Sequence, residues 1–322
     1  MLKSGRSFAL LTGCLLAQAA IAAPPAGKVH DPSSIVRNTK LSWFFSTGPG
    51  IKSFSSSDLT NWSPGPPVFK TFPAWHNEQV PGNNGYLWAP DLIWRDGRYW
   101  LYYSVSTFGK NHSAIGLATS PTLDPQDRLY GWKDEGLVIQ SKRGNDYNAI
   151  DPAIFQGADK RLWMVFGSFW SGIQLVPLDP VTGLLKKDAK PQRIAWSEQI
   201  EAPALIQHGK FHYLFVNHGL CCRGVDSTYE IRVGRSKTVT GPYLDKDGRE
   251  MTTGGGTLFL GTEKPFIGPG HFATIEGYPG TRFSFHYYDG NANGFSKLGI
   301  RELEWTEDGW PRAGKWVMPE AK

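Results

Sequence analysis

The feature that most restricts what this chain can fold into is a short polar step beside proline or glycine. It recurs five times, and each time it gives way to alternating aromatic and β-branched residues. The steps are His30-Asp31-Pro32, Ala89-Pro90-Asp91, Asp151-Pro152-Ala153, Glu201-Ala202-Pro203 and Gly268-Pro269-Gly270-His271. From Asp31 through Asp91, Asp151 and Glu201 to His271, the restarts lie 60, 60, 50 and 70 residues apart. That period is too long for a solenoid unit and suits the blades of a propeller. If each step opens the innermost strand of its blade, four carboxylates and a histidine converge on one end of a central channel.

The residues after each step support this. Leu92–Ser104, Ala153–Ser168, Ala204–Asn217 and Phe272–Tyr288 each read as two strands joined by a tight Gly- or Asp-bearing turn, such as Arg95-Asp96-Gly97-Arg98 or Gly277-Tyr278-Pro279-Gly280. Glycine and aspartate tolerate the positive φ that short hairpin loops need. Further strands follow at 50–54, 114–118, 172–175, 229–233 and 297–300, and an aromatic such as Trp62, Trp132 or Tyr243 often precedes a fourth. Four strands per unit is the blade of a propeller. No segment sustains a helical period, so the expected fold is all-β, a single propeller domain over residues 23–322. The 13 Trp, 12 Tyr and 18 Phe are assigned mainly to packing between blades.

Residues 1–22 are of a different kind. Lys3 and Arg6 precede the apolar stretch Phe8–Ala20, and Ala20-Ile21-Ala22 has the small-x-small pattern of a signal-peptidase site. The expectation is a signal peptide and export, secreted or periplasmic. The alternative is a lipobox at Leu11-Thr12-Gly13-Cys14, which would leave a lipid anchor on Cys14. No other stretch is long enough to span a membrane. Loss of Lys3 and Arg6 takes the net charge from +5 to +3 with no basic cluster, which argues against nucleic acid as a partner. Cys221 and Cys222 are adjacent, so they form either a vicinal disulfide or two small buried residues.

Glycosidic bonds are broken by paired carboxyl groups, one protonating the leaving oxygen and one activating water or attacking the sugar. One Asp-Pro is weak evidence, because it commonly opens a turn. Asp31, Asp151 and Glu201 in register along a repeat are stronger evidence. Like charges brought together also raise the pKa of one of them, which keeps an acid protonated near neutrality.

At these residues the chain resembles glycoside hydrolase family 43 and, within it, the endo-acting α-1,5-L-arabinanases. The resemblance is carried by Val29-His30-Asp31-Pro32, Leu87-Trp88-Ala89-Pro90-Asp91, Asn148-Ala149-Ile150-Asp151-Pro152-Ala153, Phe166-Gly167-Ser168-Phe169-Trp170, Ile200-Glu201-Ala202-Pro203 and His218–Arg223. It implies a five-bladed β-propeller and an inverting mechanism, with Asp31 as general base, Glu201 as general acid and Asp151 raising the pKa of Glu201. It implies substrate binding by His30, Trp88, Phe108, Gly109, Asn148, Ala149, Ile150, Ser168, Phe169 and Trp170. Asp91 is assigned to the channel wall, with sugar binding as the alternative. The resemblance also implies an ion, often calcium, held at His271 with waters; the alternative is a hydrogen-bonded histidine without an ion. No organic cofactor is expected. The implied partners are linear α-1,5-L-arabinan and arabino-oligosaccharides, acted on by a monomer. The same fold supports exo-acting α-L-arabinofuranosidases and β-xylosidases, and a non-catalytic carbohydrate-binding propeller is a third reading.

Overall fold

The computed structural model describes residues 27–278 and 280–317. The expected leader, Cys14 and Pro279 of the last expected turn lie outside them. The described chain forms five antiparallel sheets, four of four strands and one of five. Blade I holds Val36–Arg37, Ser42–Ser46, Lys52–Ser56 and Ser63–Pro64, and blade II runs from Tyr86–Arg95 to Lys133–Ser141, with Gly48–Pro49 added at its inner edge. Blades III, IV and V begin with the strands Ala153–Gln156, Ile200–His208 and Phe266–Thr274. In each blade, strands adjacent in sequence are adjacent in the sheet. Among the described residues, helix is limited to Trp75–Gln79 and three short 3-10 turns.

Period-2 alternation explains the ring. A strand buried on both faces sends successive side chains to opposite neighbours. In blade II, Leu101 and Tyr103 pack with Trp43 and Phe45 of blade I. Trp100 and Tyr102, from the same strand, pack with Met164 and Phe166 of blade III. Val165 then faces Leu214 and Val216 of blade IV. Tyr213 and Phe215 face Phe272, Phe283 and Phe285 of blade V, where the Phe215 and Phe272 rings stack at 3.9 Å. Phe44, Phe54 and Trp62 meet Ile300 of blade V and close the circle. Five separate hydrophobic cores thus lie between blades, and the axis is left to polar residues. The N-terminal segment completes closure: Ile35 N–H donates to the Thr274 carbonyl (2.7 Å), Glu276 N–H to the Ile35 carbonyl (2.9 Å) and Val29 N–H to the Ser296 carbonyl (3.1 Å).

Each step contains a non-glycine residue in the left-handed region: Asp31 (φ 49°), Ala89 (44°), Asp151 (57°), Ala202 (52°) and His271 (62°), and in the fifth step Gly268 (56°) is left-handed as well. The ladder is broken by a register shift where three of these steps fall inside a strand, at Trp88/Asp91, Glu201/Ala204 and Gly270/Ala273. A backbone turned this way cannot donate its N–H to the next strand. In all five steps a side chain accepts it instead. His286 Nδ1 accepts from Asp31 (3.2 Å), Thr47 Oγ1 from Ala89 (2.8 Å) and Ser104 Oγ from Asp151 (2.9 Å). Asp151 Oδ2 accepts from Ala202 (3.1 Å) and Asn217 Oδ1 from His271 (2.8 Å). Every acceptor belongs to the preceding blade, counting blade V before blade I.

The left-handed residue is not always the acidic one, and this corrects one expectation. Asp91 lies two residues beyond Ala89, further along its strand, and does not join the other acids. It accepts from Ser34 N–H of blade I (3.1 Å) and Ile154 N–H of blade III (2.8 Å), clamping the two neighbouring blades as a wall residue.

Ser104→Ala orphans the buried Asp151 N–H. A loss of about 1–3 kcal/mol is expected in denaturant unfolding, whereas exposed Ser63→Ala should stay within about 0.5 kcal/mol of the parent.

Candidate active site

The steps open onto a cavity of about 840 Å³ at one end of the channel, lined by Asp31, Asp151 and Glu201. His271 is not at this mouth. It lines a cavity of about 40 Å³ further along the inner strands, with Asp91, Ser34 and Thr274. Asp31, which lines the large cavity, has its Oδ1 3.6 Å from Nδ1 of His271, which lines the small one.

Of the residues expected to bind substrate, His30, Trp88, Phe108, Gly109, Asn148, Ile150, Ser168, Phe169 and Trp170 line the large cavity. Ala149 does not. It is fully buried between blades II and III with its N–H on Ser141 Oγ (2.9 Å), at a bend where Ile150 N–H donates to the Asn148 carbonyl (3.0 Å). Phe169 and Trp170 are both left-handed (φ 50° and 40°), a tight reversal held by Phe169 N–H on the Ile200 carbonyl (2.7 Å) and the Trp196 indole on the Trp170 carbonyl (3.1 Å). Phe108 is 81 % exposed and Trp170 42 % exposed, so both present bare aromatic surface at the rim. Asn148 Oδ1 is buried without a partner among the described residues, an acceptor free for a ligand hydroxyl.

Three carboxyls in one cavity are held in two different ways. Burial pushes Asp31 up, but the charge of His30 and its hydrogen bond overcome this, with His271 and His286 adding to the effect, and the group ends well below the carboxylate range. His30 Nδ1 lies 2.8 Å from Asp31 Oδ1, and Thr47 Oγ1 donates to Oδ2 (2.6 Å). Asp151 and Glu201 go the other way. Burial raises both, the negative charge of Glu201 and then of Asp31 adds to the rise at Asp151, and Asp31 adds to that at Glu201. Ser168 Oγ (2.8 Å) and the Tyr229 hydroxyl both donate to Glu201, which moderates its rise.

Sequence reasoning missed several contacts. Tyr229, on the approach to the third strand of blade IV, is buried against Glu201, and Gly270 makes room for its ring. His286 lies beneath Asp31 and stacks on His30 at 4.0 Å. Tyr288 bonds His30 Nε2 (2.8 Å), and Cys221 and Cys222 form part of the cavity wall. His286 and Tyr288 share a face two residues apart on one strand, which is the one available signal; Tyr229 had none. Ligand atoms of His30, Asp31 and His286 lie within 4.8 Å of one another, a cluster that spacing along the chain did not reveal.

The sequence profile of glycosyl hydrolases family 43 matches residues 25–311. The chain belongs to that family. This family 43 glycoside hydrolase is 43 % identical over 301 residues to an extracellular exo-α-(1→5)-L-arabinofuranosidase of Cellvibrio japonicus, covering 88 % of this chain and 86 % of the relative. It is 42 % identical over 312 residues to an extracellular endo-α-(1→5)-L-arabinanase of Bacillus subtilis, covering 94 % and 93 %. It also superimposes on the Cellvibrio cellulosa α-L-arabinanase complexed with arabinohexaose, with a TM-score of 0.85 at 41 % identity, over 89 % of this chain and 95 % of that one.

In this family 43 enzyme the His30–Asp31 pair also contributes to stability. Burial alone would lower His30, but Asp31 and, to a lesser extent, Cys222 raise it from 6.5 to about 10. Folded His30 therefore keeps its proton at a pH where the unfolded chain has released it. That contribution is complete below pH 6.5 and is lost as the pH climbs toward 10. Urea unfolding measured across this range should show stability falling in the parent and a shallower slope in His30→Gln.

Proposed function

We propose that the enzyme hydrolyses internal α-1,5-L-arabinofuranosidic bonds of arabinan, the side chains of pectin, with inversion at the anomeric carbon. The observation that carries this reading is the division among the three carboxyls: one held ionised by histidines, two pushed toward protonation by burial and by neighbouring negative charge. An inverting glycosidase needs that division, with a base and an acid on opposite sides of the sugar. The substrate follows from the similarity to the endo-arabinanase and from the arabinohexaose complex of a structural neighbour.

Asp31 accepts the proton of the attacking water. Its low affinity for protons keeps it ionised across the working range, and the water becomes acidic only as it bonds to the oxocarbenium-like carbon. Glu201 gives its proton to the departing O5. Asp151 and Glu201 together hold a single proton, and their partners favour its residence on Glu201. The Ala202 N–H can only donate, which suits an ionised Asp151, whereas the Ser168 and Tyr229 hydroxyls can turn to accept from a protonated Glu201. Asp151 thus raises the pKa of Glu201 without transferring a proton itself. Phe108, Phe169 and Trp170 offer aromatic faces to the furanose, and Asn148 and Ser168 read its hydroxyls. Export is supported by the leader and by the word extracellular in the names of both relatives. Action as a monomer is supported by all five blade interfaces lying within one chain.

His271 is proposed to hold a hydrated cation in the small channel cavity. Burial lowers its pKa and so favours the neutral imidazole that a metal requires. One nitrogen supplies too little for calcium, so waters must complete its shell. When bound, the ion contributes positive charge beneath Asp31. Exhaustive chelation should lower activity reversibly in the parent and leave residual activity of His271→Ala unmoved; parental activity that survives ion removal, verified by elemental analysis, would count against the ion.

Linear arabinan should first yield a mixture of oligosaccharides; arabinose as the sole early product would instead place the enzyme with its exo-acting relative. Glu201→Ala should cut turnover of arabinan by about 10²–10⁴-fold. The same variant should lose far less on an arabino-oligosaccharide with a nitrophenyl leaving group, which departs without a proton, whereas Asp31→Ala should fail on both. Equal losses for Glu201→Ala on the two substrates would remove the acid role.

A further inference from the structure

Cys221 and Cys222 are the two cysteines among the described residues, and both line the catalytic cavity. Cys222 has a second position as well: with Lys28 and His30 it also lines an adjoining cavity of about 430 Å³, so it stands in the partition between the two spaces. The loop that carries it is tied down on both sides. Leu220 N–H donates to Thr228 Oγ1 (3.0 Å), Thr228 N–H to the Leu220 carbonyl (3.2 Å), and Ser227 Oγ to the same carbonyl (3.0 Å). On the far side Cys222 N–H donates to the Tyr288 hydroxyl (2.7 Å), which in turn bonds His30. Cys222 is left-handed (φ 63°), a turn that brings two adjacent side chains to the same side, and the thiol sulfurs touch at 2.6 Å. Two neutral thiols have no reason to be pressed together in a wall that water reaches.

We infer that Cys221 and Cys222 form a vicinal disulfide that fixes the partition of the substrate cavity, and that its reduction weakens the hold on substrate. Formation needs a low-molecular-weight disulfide as oxidant. One cysteine thiolate attacks the oxidant and expels a thiolate; the second attacks the mixed disulfide and expels another. Two S–H bonds become one S–S bond, and both protons end on the two expelled thiols. Once reduced, the sulfurs separate to ordinary non-bonded contact, and Cys222 moves against His30, whose Nε2 is 3.8 Å away, or into the cavity. Because this wall would touch the sugar in the ground state and the transition state alike, the effect belongs in KM.

The disulfide is independent of any catalytic assignment, while the effect on KM rests on the proposed arabinan substrate. The full chain is incubated with oxidised glutathione, alkylated and digested. The peptide holding both cysteines should be unalkylated and two hydrogens lighter than its reduced form; alkylation of both residues would overturn the inference whatever the substrate. For linear arabinan, reduction of the parent should raise KM by about threefold with a smaller change in kcat. Cys221→Ser should show the raised KM from the outset and ignore reductant. An unchanged KM on complete reduction, verified by mass, would refute the redox-sensitive wall, and absence of arabinan turnover in both states would refute the function rather than the disulfide.

Discussion

Five backbone steps in the left-handed region, each with its N–H bound by a side chain of the preceding blade, are the constraint on which the rest of this propeller depends. Hydrophobic packing joins the blades but is tolerant of small rotations. The bonds from Asp31 to His286, Ala89 to Thr47, Asp151 to Ser104, Ala202 to Asp151 and His271 to Asn217 are directional, and they run round the whole ring. A buried N–H left without a partner is costly, so each bond fixes the angle at which its step meets the axis. The site is therefore built from the same atoms that index the blades. Asp151 has both duties: its backbone is the third step, and its carboxylate holds the fourth.

This doubling accounts for the electrostatics. The left-handed turn lifts the carboxyl groups out of the sheet and toward the axis, where the surrounding strands exclude water. Burial alone would raise all three. Histidines on one side break the symmetry: His30 is in direct contact with Asp31, and His271 and His286 lie behind it, whereas Asp151 and Glu201 meet hydroxyl and amide groups. A carboxyl held ionised and carboxyls pushed toward protonation are thereby separated by which blade faces which, without a change in residue chemistry.

The fold was legible because its two signals are local. Alternation in segments such as Trp100–Tyr103 reports two buried faces, and the polar steps report the repeat. Placement of Asp91 was harder. Aligning the steps on their acidic residues puts Asp91 in register with Asp31 and Asp151. A left-handed residue, however, stands before proline in all five steps, at Asp31, Ala89, Asp151, Ala202 and Gly268. Aligned on proline, Asp91 falls two residues down the strand, toward the channel cavity where it is found, and Glu201 falls one residue before the turn. In blade V that residue, Gly268, has no side chain, and His271 lies two residues beyond Pro269, which is why His271 could be matched to the others only by spacing. Ala149 was drawn into the site by its neighbours in a motif, although the bend at Asn148–Ile150 buries it in the core. Tyr229 was invisible because no pattern links it to Glu201, and Tyr288, which reaches His30 from the opposite end of the chain, left only its two-residue spacing from His286 as a signal.

In the proposed mechanism Asp31 directs water to the face of the sugar opposite the proton donated by Glu201. Proton NMR of the first products released from linear α-1,5-arabinan, recorded before mutarotation, tests this most directly. The account predicts that the new reducing end appears first as the β-anomer. A nascent α-anomer would mean retention through a glycosyl-enzyme intermediate, and Asp31 would then be a nucleophile and not a base.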